Sequence, residues 1–146
     1  VNEPRPQPDA AVDVVELRIP CKPEFVAIAR LAIAAVAHRL SYSMDEIEDL
    51  KLAVAEACTN AIQHASESPA IDIRCELTDD ELSVRVRDFG RGEMPEIRSR
   101  PLDEPRVGGL GVFLIRALMD DVTYDMHPGQ GTELVMVKRH ATEPTG

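Results

Sequence analysis

The stretch AIDIRCELTDDELSVRVR, residues 70–87, alternates apolar and polar side chains on both sides of a short polar break. Ile71, Ile73, Cys75 and Leu77 point one way, and Asp72, Arg74 and Glu76 point the other. TDDE, residues 78–81, interrupts the run, after which Leu82, Val84 and Val86 oppose Ser83, Arg85 and Arg87. Successive side chains of a strand leave opposite faces, so each run has one face for a core and one for water. Two half-buried strands joined by a short turn make an antiparallel hairpin. A sheet built from such hairpins needs cover on one face only.

The cover lies on both sides of this hairpin in the chain. Upstream, SYSMDEIEDL places Ser43 and Glu46 at capping-box spacing, with Tyr42 and Ile47 as a hydrophobic staple. The helix they open runs over residues 44–65. Residues 24–40 have helical spacing in Phe25, Ile28, Leu31, Ala32, Ala35 and Val36, with Pro23 suited to the first turn, and residues 14–19 read as a strand. Downstream, residues 88–109 have no period and are rich in Gly, Pro and charge, which marks a functional loop. Residues 110–119 form a short apolar helix, and DVTYDMHP with GTELVMVKR, residues 121–139, close the chain as a second hairpin. The order β-α-α-β-β-α-β-β predicts an α+β fold: a two-layer sandwich, mainly antiparallel, covered on one face by three helices. One domain is expected over residues 12–140, with frayed tails at 1–11 and 141–146.

Composition narrows the function. The 146 residues carry a formal net charge of -10, so a phosphate backbone is repelled and direct nucleic-acid binding is a poor expectation. Aromatics are 3% and Trp is absent, which leaves an aliphatic core and no stacking platform for single strands. Cys21, Cys58 and Cys75 are scattered and form no CxxC pair, so neither a disulfide framework nor a zinc site is expected. No apolar run is long enough to span a bilayer. The polar, Pro-rich VNEPRPQPDA does not read as a signal peptide, and the expected address is a reducing cytoplasm.

Four short patterns remain. Within AVAEACTNAIQHA, residues 53–65, Glu56, Asn60 and His64 recur every fourth position on an otherwise small, apolar helix. DFGRG, residues 88–92, puts a carboxylate at a strand end, followed by glycines that let a ligand approach the backbone. GGLGVF, residues 108–113, leads into a helix whose N-terminal amides favour an anion. GQGT, residues 129–132, is a turn. There is neither a P-loop nor a Rossmann fingerprint. Each pattern alone has an ordinary structural explanation, but their order is informative.

Together, Glu56-x-x-x-Asn60, Asp88-x-Gly90-x-Gly92, Gly108-Gly109-Leu110-Gly111 and Gly129-x-Gly131-Thr132 resemble the N, G1, G2 and G3 boxes of the GHKL ATP-binding superfamily, with its Bergerat fold. Within it, SMDEIEDLKLAVAEACTNAIQHA, the short loop before GGLG, and GVFLIRALMDDV resemble bacterial anti-sigma-factor serine kinases of the sporulation and stress-response type. The resemblance implies ATP and Mg²⁺ as cofactors. It makes Glu56 the general base toward a serine hydroxyl, and Asn60 a ligand of Mg²⁺. Asp88 would receive the adenine amine, with Gly90 and Gly92 close to the nucleotide and Thr132 near the base. Gly108, Gly109, Leu110 and Gly111 would cradle the phosphates, and Arg106 of the lid would reach them. Arg30 matches a first-helix arginine at the family's partner-binding surface. The implied partners are a sigma factor, an anti-anti-sigma (STAS) protein and a second copy of the chain, paired through the sheet and its first strand. His64 is expected to have a packing or surface role. Two alternatives stay open: a switch kinase acting on STAS proteins without holding a sigma factor, and a non-catalytic ATP-sensing module. A detached histidine-kinase domain fits less well, because His38 is followed by Arg39 and not by an acidic residue.

Overall fold

The computed structural model describes residues 12–65, 67–90, 107–127 and 129–139. Strand β1 is Asp13–Pro20, followed by a 3-10 turn at Pro23–Phe25 and helix α1, Val26–His38. Helix α2 is Met44–His64, and strands β2 and β3 are Ala70–Leu77 and Glu81–Asp88. Helix α3 is Val107–Leu118, and strands β4 and β5 are Asp121–His127 and Gly131–Arg139. The expected tails, 1–11 and 141–146, lie outside the described residues, as do residues 91–106 of the loop expected over 88–109.

The five strands form one antiparallel sheet in the order β1-β2-β3-β5-β4. The opening hairpin pairs Ile73 with Val86 and Cys75 with Val84, so the apolar sets of both strands share a face. The three helices lie on that face, giving the expected two-layer α+β sandwich. Ile33 and Ala37 of α1, Leu50 and Val54 of α2, and Ile115 of α3 join Ile71, Leu82 and Met136 in one core. Cys58 and Cys75 are part of it, and burial pushes their thiols up to about 12 and about 11, so they pack rather than react.

The outer face of the sheet is charged. Arg18 pairs with Asp72, Arg74 with Glu16 and Glu76, and Arg85 with Glu133. Exposed pairs of this kind are worth roughly 0–1 kcal/mol each, so they reinforce register more than they hold the fold together. β1 and β4 are the sheet edges, and Val14 and Val15 on β1 are exposed.

Helix α2 starts as its sequence dictates. Ser43 N–H donates to Glu46 Oε1 at 2.8 Å, and Glu46 N–H donates to Ser43 Oγ at 3.1 Å. Tyr42 and Ile47 are both buried beside this box. The Tyr42 hydroxyl donates to the Lys138 carbonyl, which ties the helix start to the end of β5.

Two boundaries differ from expectation. The helix expected over 24–40 opens as a 3-10 turn and ends at His38, where the Arg39 and Leu40 amides reach carbonyls three residues back, Val36 and Ala37. The last helix begins at Val107 and not at Leu110, so the glycines of GGLG lie inside its first turns and not ahead of it. Helix-terminal amides of this kind are open to an anion, and glycine keeps the approach to them clear.

Candidate nucleotide site

The candidate site follows one face of α2 and the strand ends beside it. Small residues on α2 let the helix lie close to the sheet: Ala53, Ala57 and Ala61 are all buried. The same helix presents Glu56 and Asn60 one turn apart. Glu56 is half-buried, while Asn60 is 1% exposed. Among the described residues, neither Asn60 Oδ1 nor Nδ2 has a hydrogen-bond partner. A buried amide without partners costs about 1–3 kcal/mol, so natural structures keep one only for a reason.

The backbone of α3 lies over this pair. A Cβ built on Gly111 would stand 2.9 Å from Asn60 Oδ1, 3.0 Å from Glu56 Oε2 and 3.2 Å from Asn60 Nδ2. Only glycine fits there without displacing the amide or the carboxylate. The structure therefore brings together Glu56, Asn60 and Gly111, which the sequence separates by up to 55 positions (111 minus 56). Gly108, Gly109 and Leu110 precede Gly111 in the same helix. Gly92 and Arg106 lie outside the described residues.

The other end of the site is centred on Asp88, the last residue of β3 and 6% exposed. Its Oδ1 accepts from Gly90 N–H at 3.0 Å and from Thr132 N–H at 3.3 Å. Burial raises the carboxyl above its ordinary value. The two backbone donors pull it back, Glu67 adds to the rise and His64 opposes it. Tyr124 of β4 is near enough to feel Asp88, and its phenol is pushed up to about 12, mainly by burial.

Close backbone packing fixes this end. A Cβ on Gly131, at φ +107, would meet the Asp88 carbonyl oxygen at 2.0 Å. Gly131 thus combines a left-handed backbone with direct contact, and no other residue serves both. A Cβ on Gly90 would lie 2.5 Å from the Ala65 Cβ, so the turn after β3 rests on the end of α2. Thr132 is buried and contributes through its amide.

His64 is half-buried and within electrostatic reach of Asp88, so it lies toward the carboxylate end and not on an open surface. Arg30 stands apart, exposed on α1 between Ile28 and the 70%-exposed Leu31, and its charge reaches Glu48 of α2. Sequence reasoning gave no individual role to Gly131, nor to Ser68, whose hydroxyl accepts the Phe89 N–H at 2.9 Å. The GQGT turn signal pointed at the first of these, while nothing local pointed at Ser68.

The histidine kinase-like ATPase domain family matches residues 19–138, and the chain belongs to that family. It is 41% identical over 129 residues to the serine-protein kinase RsbW of Bacillus subtilis, covering 80% of this chain and 81% of the relative. The RsbW serine-protein kinase of Oceanobacillus iheyensis is 37% identical over 143 residues, covering 90% and 89%. That of Listeria monocytogenes is 38% identical over 138 residues, covering 86% and 87%. Among solved structures, the RsbU and RsbW domains of a Mycobacterium tuberculosis protein superpose with a TM-score of 0.65 at 16% identity, over 87% of this chain and 32% of that one. The histidine kinase domain of a blue-light-activated kinase from Erythrobacter litoralis gives 0.53 at 24%, over 82% and 61%. Both share the fold. No helix among the described residues is long and apolar enough to cross a membrane.

Proposed function

We infer that this chain is an ATP-dependent serine-protein kinase and anti-sigma factor, which phosphorylates a serine of a STAS-type anti-anti-sigma protein and so regulates transcription. The observation that carries the catalytic part is the convergence of Glu56, Asn60 and the Gly111 backbone at one point. A sensing module needs a nucleotide pocket but no carboxylate beside the phosphates.

Asp88 receives the exocyclic amine of adenine, and Gly90, Gly92 and Thr132 frame the base. The amides around Gly108, Gly109, Leu110 and Gly111 hold the phosphates, with Arg106 reaching them from the lid. Glu56 takes the proton of the substrate serine hydroxyl as its oxygen bonds to the γ-phosphorus and the bond to ADP breaks. Such a transfer depends on positioning and on charge neutralisation more than on covalent help.

Asn60 fits Mg²⁺. Its buried Oδ1 lacks a partner among the described residues, and an amide oxygen is a hard donor of the kind this ion takes alongside water and phosphate oxygens. When bound, the ion neutralises charge on the phosphates. Asn60 would hold it, and Glu56 would stay free for the proton.

Arg30 and the exposed Ile28 and Leu31 on α1 form the partner-binding face. A second copy pairs through the sheet and its edge strand β1, and the protein works in the cytoplasm. Incubation with labelled ATP, Mg²⁺ and STAS proteins encoded nearby tests the kinase assignment, with label expected on a serine of one of them. Tight ATP binding with label on none would instead favour the sensing module. Co-purification with a sigma factor separates the anti-sigma factor from a switch kinase that never holds one.

A further inference from the structure

The alternation of β3 continues past its last residue. Arg87 faces the outer, charged side of the sheet, Asp88 faces the site, and Phe89 returns to the outer side. A phenyl ring there should be stranded in water. Instead it lies against two guanidinium groups, with Arg18 5.5 Å and Arg87 5.1 Å from its centroid. Both distances are within the range of a cation–π contact.

The two arginines are themselves placed by the sheet. Arg18 of β1, Asp72 of β2 and Arg87 of β3 form one row across three strands. Asp72 holds Arg18 by two parallel bonds, Nε to Oδ1 at 2.6 Å and Nη2 to Oδ2 at 2.9 Å. That fork fixes the guanidinium plane as well as its position. The Phe89 backbone is fixed too. Its N–H leaves the ladder for Ser68 Oγ, and that hydroxyl donates to the Ala70 carbonyl at 2.7 Å.

We propose that Phe89, clamped between Arg18 and Arg87, is a positioning residue that aims Asp88 at the adenine amine. Adjacent residues of an extended chain point to opposite faces, so a ring fixed outward fixes its neighbour inward. The glycines at 90 and 131 limit where the backbone sits, and the ring limits how it is turned. The clamp touches no nucleotide and acts only through the carboxylate. This role rests on the assignment of Asp88 to the base.

The test is calorimetric binding of ATP and of inosine triphosphate, which has a carbonyl where adenine has its amine. Wild type should prefer ATP. In Phe89→Leu, ATP affinity should fall about fivefold while inosine triphosphate affinity holds, so the preference shrinks. Phe89→Tyr, which keeps the ring, should bind as wild type. Arg87→Met carries the same comparison with about a twofold effect, and serves if Phe89→Leu does not fold. Unchanged affinities in Phe89→Leu, or equal losses for both nucleotides, would overturn the role, the second because a merely loosened fold weakens both. Asp88→Asn separates the two assignments. A preference kept in that variant removes the base assignment, and this role with it. A preference lost in Asp88→Asn but intact in Phe89→Leu overturns only the clamp.

Discussion

Asp88 and Asn60 are both buried polar side chains facing the same site, yet the protein treats them in opposite ways. Asp88 Oδ1 takes two backbone N–H groups, and the carbonyl of the same residue is pressed by Gly131. Asn60 has no hydrogen-bond partner on either polar atom among the described residues. The end of the site proposed to read a base already has its carboxylate held by backbone donors. The end proposed to handle phosphates is left open among the described residues, and a buried amide without partners calls for an explanation, which the proposed function supplies as a group from outside the chain. Shape recognition can be built in advance from fixed backbone, whereas a cation that arrives with its phosphates needs a donor not already spent on a neighbour.

The most severe way to break the open end is Glu56→Gln. Single-turnover phosphotransfer should fall about 10²–10⁴-fold, the range general-base removal commonly costs, with equilibrium ATP affinity kept within about twofold. At the closed end, Gly131→Ala should destabilise the fold by about 1–3 kcal/mol in urea denaturation, because it adds both a steric contact and a strained φ. Gly129, also at positive φ but where a built Cβ would meet no other described residue within 4 Å, provides the contrast, and its alanine variant should lose only about 1 kcal/mol.

Asn60→Leu sharpens the comparison because its effects go in opposite directions. The unbound protein should gain about 1 kcal/mol, since an unpaired buried amide is replaced by an apolar group of similar shape. Phosphotransfer should be lost. The smallest effect is in pH. Asp88 has a raised folded pKa, so the folded state binds a proton more readily than the unfolded chain in the window between the ordinary and the raised value. As pH falls through that window, the unbound protein should gain stability from this group, while ATP affinity falls with loss of the accepting carboxylate. Thermal melts and ATP titrations against pH check both, and Asp88→Asn should flatten both.

Much of this was legible in the sequence because it is local. Alternation in residues 70–87 fixed the hairpin and its core face, and Ser43 with Glu46 fixed the start of α2. Glu56 and Asn60 were visible through four-residue spacing, and Asp88 through its place at a strand end before glycines. What was not legible depends on contacts between distant segments. That Gly111 lies on Asn60 follows from α3 packing on α2, and that Gly131 meets Asp88 follows from β5 lying beside β3. The early start of α3 was hidden because a run of glycines reads as a loop. The row joining Arg18, Asp72 and Arg87 could not be seen until the register of three strands was known.

Calorimetric titration of adenosine and of ATP, each with and without Mg²⁺, into wild type and Asn60→Leu tests the contrast between the two ends most directly. Adenosine affinity should be independent of Mg²⁺ in both proteins, because the base end is complete without it. ATP affinity should rise with Mg²⁺ in wild type and lose that rise in Asn60→Leu. Adenosine binding that requires Mg²⁺, or an equal Mg²⁺ response of ATP in the two proteins, would contradict the division of the site into a finished end and an open one.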